Sequence, residues 1–415
     1  MNFMSIHPTI RLRLFLVFIS TVSTMTVIPY LIIYFAGQLG NVITGVLFLA
    51  VMIANIVGSF IGGYTSDRIG RKKIILISEL AIMVGFIGAA ITNSPLGSYP
   101  YLTFLFFLVI QFSNGAVNPV YQAFIIDISS PEERKVIYTY SYWIRNVAVA
   151  IGSMIGAFLF LNYLFFLLLT VAGTSLLSVV LIFIYVQETY TPVIESSKQK
   201  TTNNKHVFQS YKRILTHRFF IVFSIASLLV VSIEEQLTNY IGVRLANEID
   251  DPIPLVSLNV DGVNLLGILK GENTLLVVFF TLVITHVIRK WRENHVLLFG
   301  LFIYFFGYTI LSINLSPIIL IVAMFIATIG EIMYSPIMQT MLANLVPDNA
   351  RSTYMAVYAI ATILGVSSAG IFMIISNWVP PLLLTSIFAV MGLISIVLFY
   401  RLMKPNQLTE QSHTG

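Results

Sequence analysis

The sequence predicts an all-α membrane protein with twelve transmembrane helices in two pseudo-symmetric six-helix halves. Three observations carry this. Hydrophobic residues make up 57% of the 415 residues and charged residues only 10%, too little polar surface for a soluble chain. Apolar runs of about 20 residues recur along the chain, the length a helix needs to cross the hydrocarbon core. Lys and Arg collect in alternate connections, and one polar segment divides the runs into two sets. The runs are continuous and lack the alternation of membrane-spanning strands.

The spans fall at roughly 14–35, 42–64, 74–92, 101–128, 137–160, 164–186, 218–242, 272–289, 295–315, 318–343, 353–376 and 380–401. The first, from Leu14 to about Tyr34, is too long for a signal peptide and lacks a small-residue cleavage site. Most connections are short, which makes neighbouring helices antiparallel. Residues 187–217 include SSKQKTTNNKH and read as a cytoplasmic linker between an N-terminal half, 1–186, and a C-terminal half, 218–415. Residues 243–271 include DDPIPLVSLNVDGVN and read as a long extracellular loop with a short hairpin or an interfacial helix.

With a cytoplasmic N-terminus, the inner face collects Arg11, Arg13, Arg68, Arg71, Lys72, Lys73, Arg134, Lys135, Arg289, Lys290, Arg292, Arg351, Arg401, Lys404 and the linker lysines. The outer face holds Arg244 and Lys270. That asymmetry puts both termini in the cytoplasm of a cell-membrane protein. PEERKVIY (Pro131–Tyr138) and PDNARSTY (Pro347–Tyr354) share Pro, an acid, a base and Tyr at matching offsets, as a six-span duplication would leave them. Parallel repeats of this kind are a transporter architecture, with the substrate path between the halves.

The stretch GGYTSDRIGRKK (Gly62–Lys73) falls in the cytoplasmic loop between spans two and three. It resembles the signature loop of the major facilitator superfamily, G-x-x-x-D-R-x-G-R-[KR], with Gly63, Asp67, Arg68, Gly70, Arg71 and Lys72 in the matching positions. The resemblance implies a major facilitator fold. It also implies a conformational latch: Asp67 docking near Arg351–Tyr354 at the start of span eleven and on Arg134, with Asp127 in the same charge cluster. The ordered segments GGYTSDRIGRKK, FIIDISSPEERK, QETYTP and GEIMYSP resemble the LmrP-type drug/proton antiporters of Gram-positive bacteria. That resemblance implies proton-driven export of lipophilic, often cationic compounds by a monomer. The chain departs from the subfamily where membrane acids are usual. Tyr140, Ser141 and Tyr142 stand near the start of span five, Thr238 in span seven and Gly392 in span twelve. Gln111 stands where many drug antiporters carry an Arg, and the Pro usual in the Gly-rich motif of span five is missing.

Ionisable groups at bilayer depth are costly and mark function by default. Glu331 lies in span ten, about 20 Å from its outer end, with no Lys or Arg near it in sequence. Such a carboxyl can carry a proton or attract a lipophilic cation, and the competing reading is a structural hydrogen-bond donor. Glu234 and Glu235 lie in span seven. Glu235, Thr238 and Asn239 share a face by helical spacing, the alternative being a solvated outer vestibule. Arg145, in span five, either meets an acid or an anionic substrate group or snorkels to the inner surface. Glu79 is expected to pair with the basic loop, and His286 to sit at the interface. Gln111, Asn114 and Asn118 form one polar face of span four, and Tyr142, Trp143, Tyr334 and Tyr358 add aromatic surface suited to cations or serve as packing. Gly152 and Gly156 make a GxxxG face.

The chain has no cysteine, which excludes disulfides, thiolate metal sites and Cys nucleophiles. It has no Walker A loop, HExxH, nucleophile elbow or dinucleotide fingerprint. The expectation is a non-enzymatic secondary transporter without cofactor, metal site or nucleic-acid partner. Its partners are protons, membrane lipids and a small lipophilic or cationic substrate. The rival readings are a proton symporter for a peptide, sugar or anionic metabolite, a lipid or glycolipid flippase, and a sensor or scaffold of transporter shape.

Overall fold

The computed structural model describes residues 7–188, 214, 216–249, 251–255, 258–346 and 351–403. Among these, eleven helices are long and apolar enough to cross a membrane. One of them, α6 (Pro131–Tyr185), departs from helical geometry at Tyr163 (φ −129°, ψ 23°) and is two consecutive spans, which gives twelve. Strands occur among the described residues as two short hairpins in connecting loops. β1 (Asn93–Ser94) pairs with β2 (Gly97–Ser98), and β3 (Ile253–Leu255) with β4 (Leu258–Val260).

The chain divides into two compact units, Met1–Glu195 with Val260–Leu275 and Ser196–Asn259 with Leu276–Gly415. The first unit begins with α1 (Pro8–Met25), a tight turn at Ile28–Tyr30, and α2 (Leu31–Leu39), which together make the first span. α3 (Asn41–Ile69), α4 (Arg71–Ile91), α5 (Pro100–Asp127) and α6 follow. Gly40 and Gly70, at φ 80° and 110°, separate α2 from α3 and α3 from α4 in a backbone region that costs glycine least. α6 starts at a reciprocal capping box: Ser130 Oγ accepts the Glu133 amide and Glu133 accepts the Ser130 amide.

Between lipid-embedded helices, packing contacts take over from hydrophobic burial, so small residues set the close approaches. A Cβ at Gly58 or Gly62 of α3 would strike the α5 backbone at Phe112 or Ala116, and one at Gly115 would strike Asn55. The GxxxG pair of α6 does the same to α1: Gly152 abuts Val22, and Gly156 abuts Thr26 and the Tyr30 ring. Leu16, Ile75, Val120, Phe124 and Ile182, from α1, α4, α5 and α6, form a buried cluster.

The second unit holds the seventh span, built from α7 (Arg218–Glu234), a π-helical turn (Leu237–Ile241) and α8 (Gly242–Glu248). It also holds the end of α9 (Gly262–Ile288), with α10 (Glu293–Leu311), α11 (Pro317–Leu345), α12 (Arg351–Ile375) and α13 (Pro381–Leu402).

The expected loop at 243–271 is much shorter. α8 carries the seventh span on to Glu248, and α9 starts at Gly262 instead of near 272. Local chemistry explains the early start. Asp261 and Asn264 cap each other's amides at 2.7 and 3.1 Å. Asn264 also donates to the Ala157 carbonyl at 2.6 Å. Residues 260–275 accordingly cluster with the first unit. Most of the linker at 187–217 lies outside the described residues.

Candidate functional site

In the second unit, α10 and α11 meet across glycines. A Cβ at Gly330 would strike Gly300 and the Tyr304 backbone, and one at Gly307 would strike Ala323 and Ala327. That close crossing brings three tyrosines together. Tyr304 packs on Tyr308 with ring centroids 4.7 Å apart and on Tyr334 at 5.1 Å. All three are buried, at 1%, 4% and 3% exposure. Tyr334, expected to line a cavity, is therefore packed inside this cluster.

Glu234 and Glu331 both act electrostatically on the hydroxyls of all three tyrosines, and Glu235 acts on Tyr308. Carboxyls from spans seven and ten thus lie within electrostatic reach of one phenolic cluster. Glu331 is half-buried, Glu235 half-buried and Glu234 exposed. The tyrosines add hydroxyls and π-faces that suit a cation.

The seventh span loses regular α-geometry at these acids. α7 ends at Glu234, and the π-turn runs from Leu237 to Ile241, a distortion that recurs at functional sites. The face shared by Glu235, Thr238 and Asn239 is altered as a result. Asn239 is buried, and its amide donates to the Glu235 backbone carbonyl at 2.7 Å. Gln236 donates to the Ser232 carbonyl at 2.6 Å. Tyr358 is half-buried beside Phe223, 5.9 Å between centroids.

The remaining sequence candidates lie in the first unit and do not join this cluster. Gln111 and Asn114 are half-buried on α5 and Asn118 is exposed. The Gln111 carbonyl accepts from Asn55 at 3.2 Å. Tyr142 and Trp143 are exposed. Arg145 is exposed on α6 and makes no ion pair among the described residues.

The basic loop forms its own network. Arg71 pairs with Asp127 at 3.1 Å and donates to Ser66 Oγ at 3.2 Å. Arg68 lies 4.2 Å above the Tyr64 ring. Gly63 has open space where a Cβ would stand, so close packing does not require glycine there. The side chains of Asp67 and Arg134 lie outside those described.

Sequence reasoning missed or misplaced three groups. Glu188 caps α4, accepting the Arg71 amide at 2.9 Å and the Lys72 amide at 3.2 Å; it sat within the quoted QETYTP. Glu79 is buried and accepts the Tyr121 hydroxyl at 2.7 Å, while Arg13 stacks 3.4 Å over the Tyr121 ring. It is thus tied to spans four and one, with the basic loop playing no part in these contacts. Lys270 and Glu272 lie inside the eighth span. Lys270 is expected in the outer loop and Glu272 at the first residue of the span, because the expected span begins ten residues late; the Asp-x-x-Asn cap at Asp261 is the available signal.

Comparison with known proteins follows the same lines. The profile of the Major Facilitator Superfamily matches residues 13–362 and 252–414. The chain is 31% identical over 382 residues to a Na(+), Li(+), K(+)/H(+) antiporter of Planococcus maritimus, covering 90% of each. It is 26% identical over 343 residues to the multidrug resistance protein MdtH of Proteus mirabilis, covering 79% of this chain and 77% of that protein. A crystal structure of a peptide transporter, POT, in complex with sulfate superposes with TM-score 0.70 at 18% identity, over 97% of this chain and 95% of that one. At that identity the likeness is one of fold.

Proposed function

Because this chain belongs to the major facilitator superfamily, and is a multi-pass secondary transporter without enzymatic chemistry, we propose that it exchanges protons for a lipophilic cationic compound and exports the latter from the cell. The observation that carries this is the packed, buried set of Tyr304, Tyr308 and Tyr334 with Glu331 and Glu234 within electrostatic reach of it. The set is anionic when deprotonated, aromatic, and built on membrane-spanning helices. A proton and an organic cation compete for it, and competition at one site is sufficient for exchange. Open to the outside, the carboxyls take up protons and release the cation. Open to the inside, they lose protons and bind the next one. The membrane potential contributes about 2.3 kcal/mol per inward charge per 100 mV, besides the pH difference. The charged loop at Arg71 and Asp127 serves as a conformational latch in this reading, and both termini are cytoplasmic.

A second reading, exchange of an alkali cation for protons, is favoured by the 31% identity with the Na(+), Li(+), K(+)/H(+) antiporter. The same carboxyls and phenolic oxygens would ligate the smaller ion. The test is flux in proteoliposomes under an imposed pH gradient, with ethidium, Na+ and K+ as separate cargoes. Ethidium exchange by the parent and its loss in Glu331→Gln support the first reading. Exchange of Na+ or K+ alone selects the second. Unchanged exchange in Glu331→Gln would sink the site assignment.

A further inference from the structure

The first unit holds a carboxyl that the proposed exchange site does not use. Glu272 stands ten residues along α9, which begins at Gly262. At 1.5 Å per residue this is about 15 Å from the outer end, near the middle of a core about 30 Å thick. Its Oε2 is buried and takes no hydrogen bond from any described residue. Helical spacing puts Leu265, Ile268, Leu269 and Leu275 on its face, so its own stripe of the helix is apolar.

The helix cannot easily turn this carboxyl elsewhere. Gly267 abuts Ala157, Ser153 and the Tyr30 hydroxyl, and Gly271 abuts Met154. A side chain at either position would push α9 off α6, and at Gly267 also off the Ile28–Tyr30 turn. Asn264 fixes the same helix through the Ala157 carbonyl. Among the described residues, the charged and titratable groups nearby are few. Lys270, two residues away, points about 200° around the helix, nearly opposite. Tyr30 donates to the Ser153 carbonyl. Arg145 of α6 lies beyond Ala150, which faces Gly271, and makes no ion pair among the described residues. A single carboxyl with no further oxygen ligands is a poor metal site, since alkali and alkaline-earth ions take several oxygens. A proton needs only one.

We propose that Glu272 is a second proton-carrying site, separate from Glu331 and Glu234. The step is binding of one H+ by the carboxylate to give the neutral acid, and its release on the other side; no other bond changes. The proposal rests on the antiport reading for its role in transport. Each proton carried here moves one further positive charge inward per cycle, making exchange of a monovalent cation more strongly driven by membrane potential. A permanently protonated carboxyl would instead be structural.

Two measurements on the full-length protein decide it. Dicyclohexylcarbodiimide attacks protonated carboxyls in apolar surroundings. Peptide mapping after treatment between about pH 5 and 9 is expected to find Glu272 labelled, with labelling that falls as pH rises. No label at Glu272, or label that does not change with pH, overturns the proposal. In proteoliposomes, the proton-to-ethidium stoichiometry read from reversal conditions is expected to fall by one in Glu272→Gln while flux persists. An unchanged stoichiometry overturns the coupling role. If the parent exchanges neither ethidium nor Na+ nor K+, the antiport reading falls and the coupling role with it. The labelling still decides whether Glu272 takes a proton.

Discussion

The carboxylate of Glu188 accepts the backbone amide of Arg71 at 2.9 Å and that of Lys72 at 3.2 Å, closing the free N-terminus of α4. Residues far apart in sequence thus share one cap, in which an anion meets unsatisfied amides at the positive end of a helix. Gly70 is the partner that permits it: a Cβ there would strike the Glu188 carboxylate, and its φ of 110° disfavours any side chain. Glu188→Ala is expected to cost about 1 kcal/mol, the usual worth of a cap. Gly70→Ala is expected to cost about 1–3 kcal/mol from backbone strain alone, plus displacement of Glu188. Thermal unfolding in detergent reads both. Equal melting of Gly70→Ala and parent would refute the close contact.

At the other end of the second unit, Arg244 is 8% exposed and spends its guanidinium on four acceptors. It reaches Glu248 at 3.0 and 3.2 Å, the Ile313 carbonyl at 2.8 Å and the Ser312 carbonyl. The planar fork ties α8 to the end of α10 in a way an ammonium cannot copy. Arg244→Lys is expected to destabilise by about 1–3 kcal/mol, because carbonyls buried with it lose their donors. Glu248→Gln should cost less, since the backbone contacts survive. A melting series of the two variants checks the order, and a milder Arg244→Lys would contradict it.

The imidazole of His217 lies 3.1 Å from the Tyr354 hydroxyl, beside Phe220 and next to Arg218 in sequence. Burial holds His217 below its ordinary value of 6.5. Between the lowered value and 6.5 the unfolded chain binds more protons than the folded one, so stability rises with pH there. The contribution is whole above about pH 6.5 and declines as pH falls through the folded value. His217→Gln is expected to shrink the loss of melting temperature between about pH 7.5 and 5.5. An identical pH slope in variant and parent would count against it.

The spans were legible because one physical rule, about 20 apolar residues per crossing, dominates a membrane chain. Its failures came where polar residues are helical. Asp261 and Asn264 look like turn residues and instead cap α9, which places Lys270 inside the helix rather than in the loop and Glu272 about three turns into the span rather than at its first residue. The acids Glu331, Glu234 and Glu235 could be found singly, because charge in an apolar run is conspicuous. That the first two share a tyrosine cluster depends on the Gly300–Gly330 crossing, a contact between helices that spacing along one helix does not encode. The π-turn after Glu234 was equally hidden, since it changes facing by one residue without changing composition.

The tyrosine cluster makes a sharper demand on the two principal carboxyls. If Glu234 and Glu331 served separate steps, their substitutions would act independently, and the losses of Glu234→Gln and Glu331→Gln would add in free energy. Because both act on Tyr304, Tyr308 and Tyr334, removing one charge changes what the other meets. A double-mutant cycle on proton-driven ethidium flux is therefore expected to show a coupling of about 0.5–3 kcal/mol, the range for residues in one network. Tyr308→Phe keeps the ring packing and removes one hydroxyl, and is expected to alter the pH profile of flux more than thermal stability. Additive losses, with a pH profile unmoved by Tyr308→Phe, would mean the carboxyls are neighbours without sharing a site. The exchange chemistry would then have to be assigned to Glu331 alone.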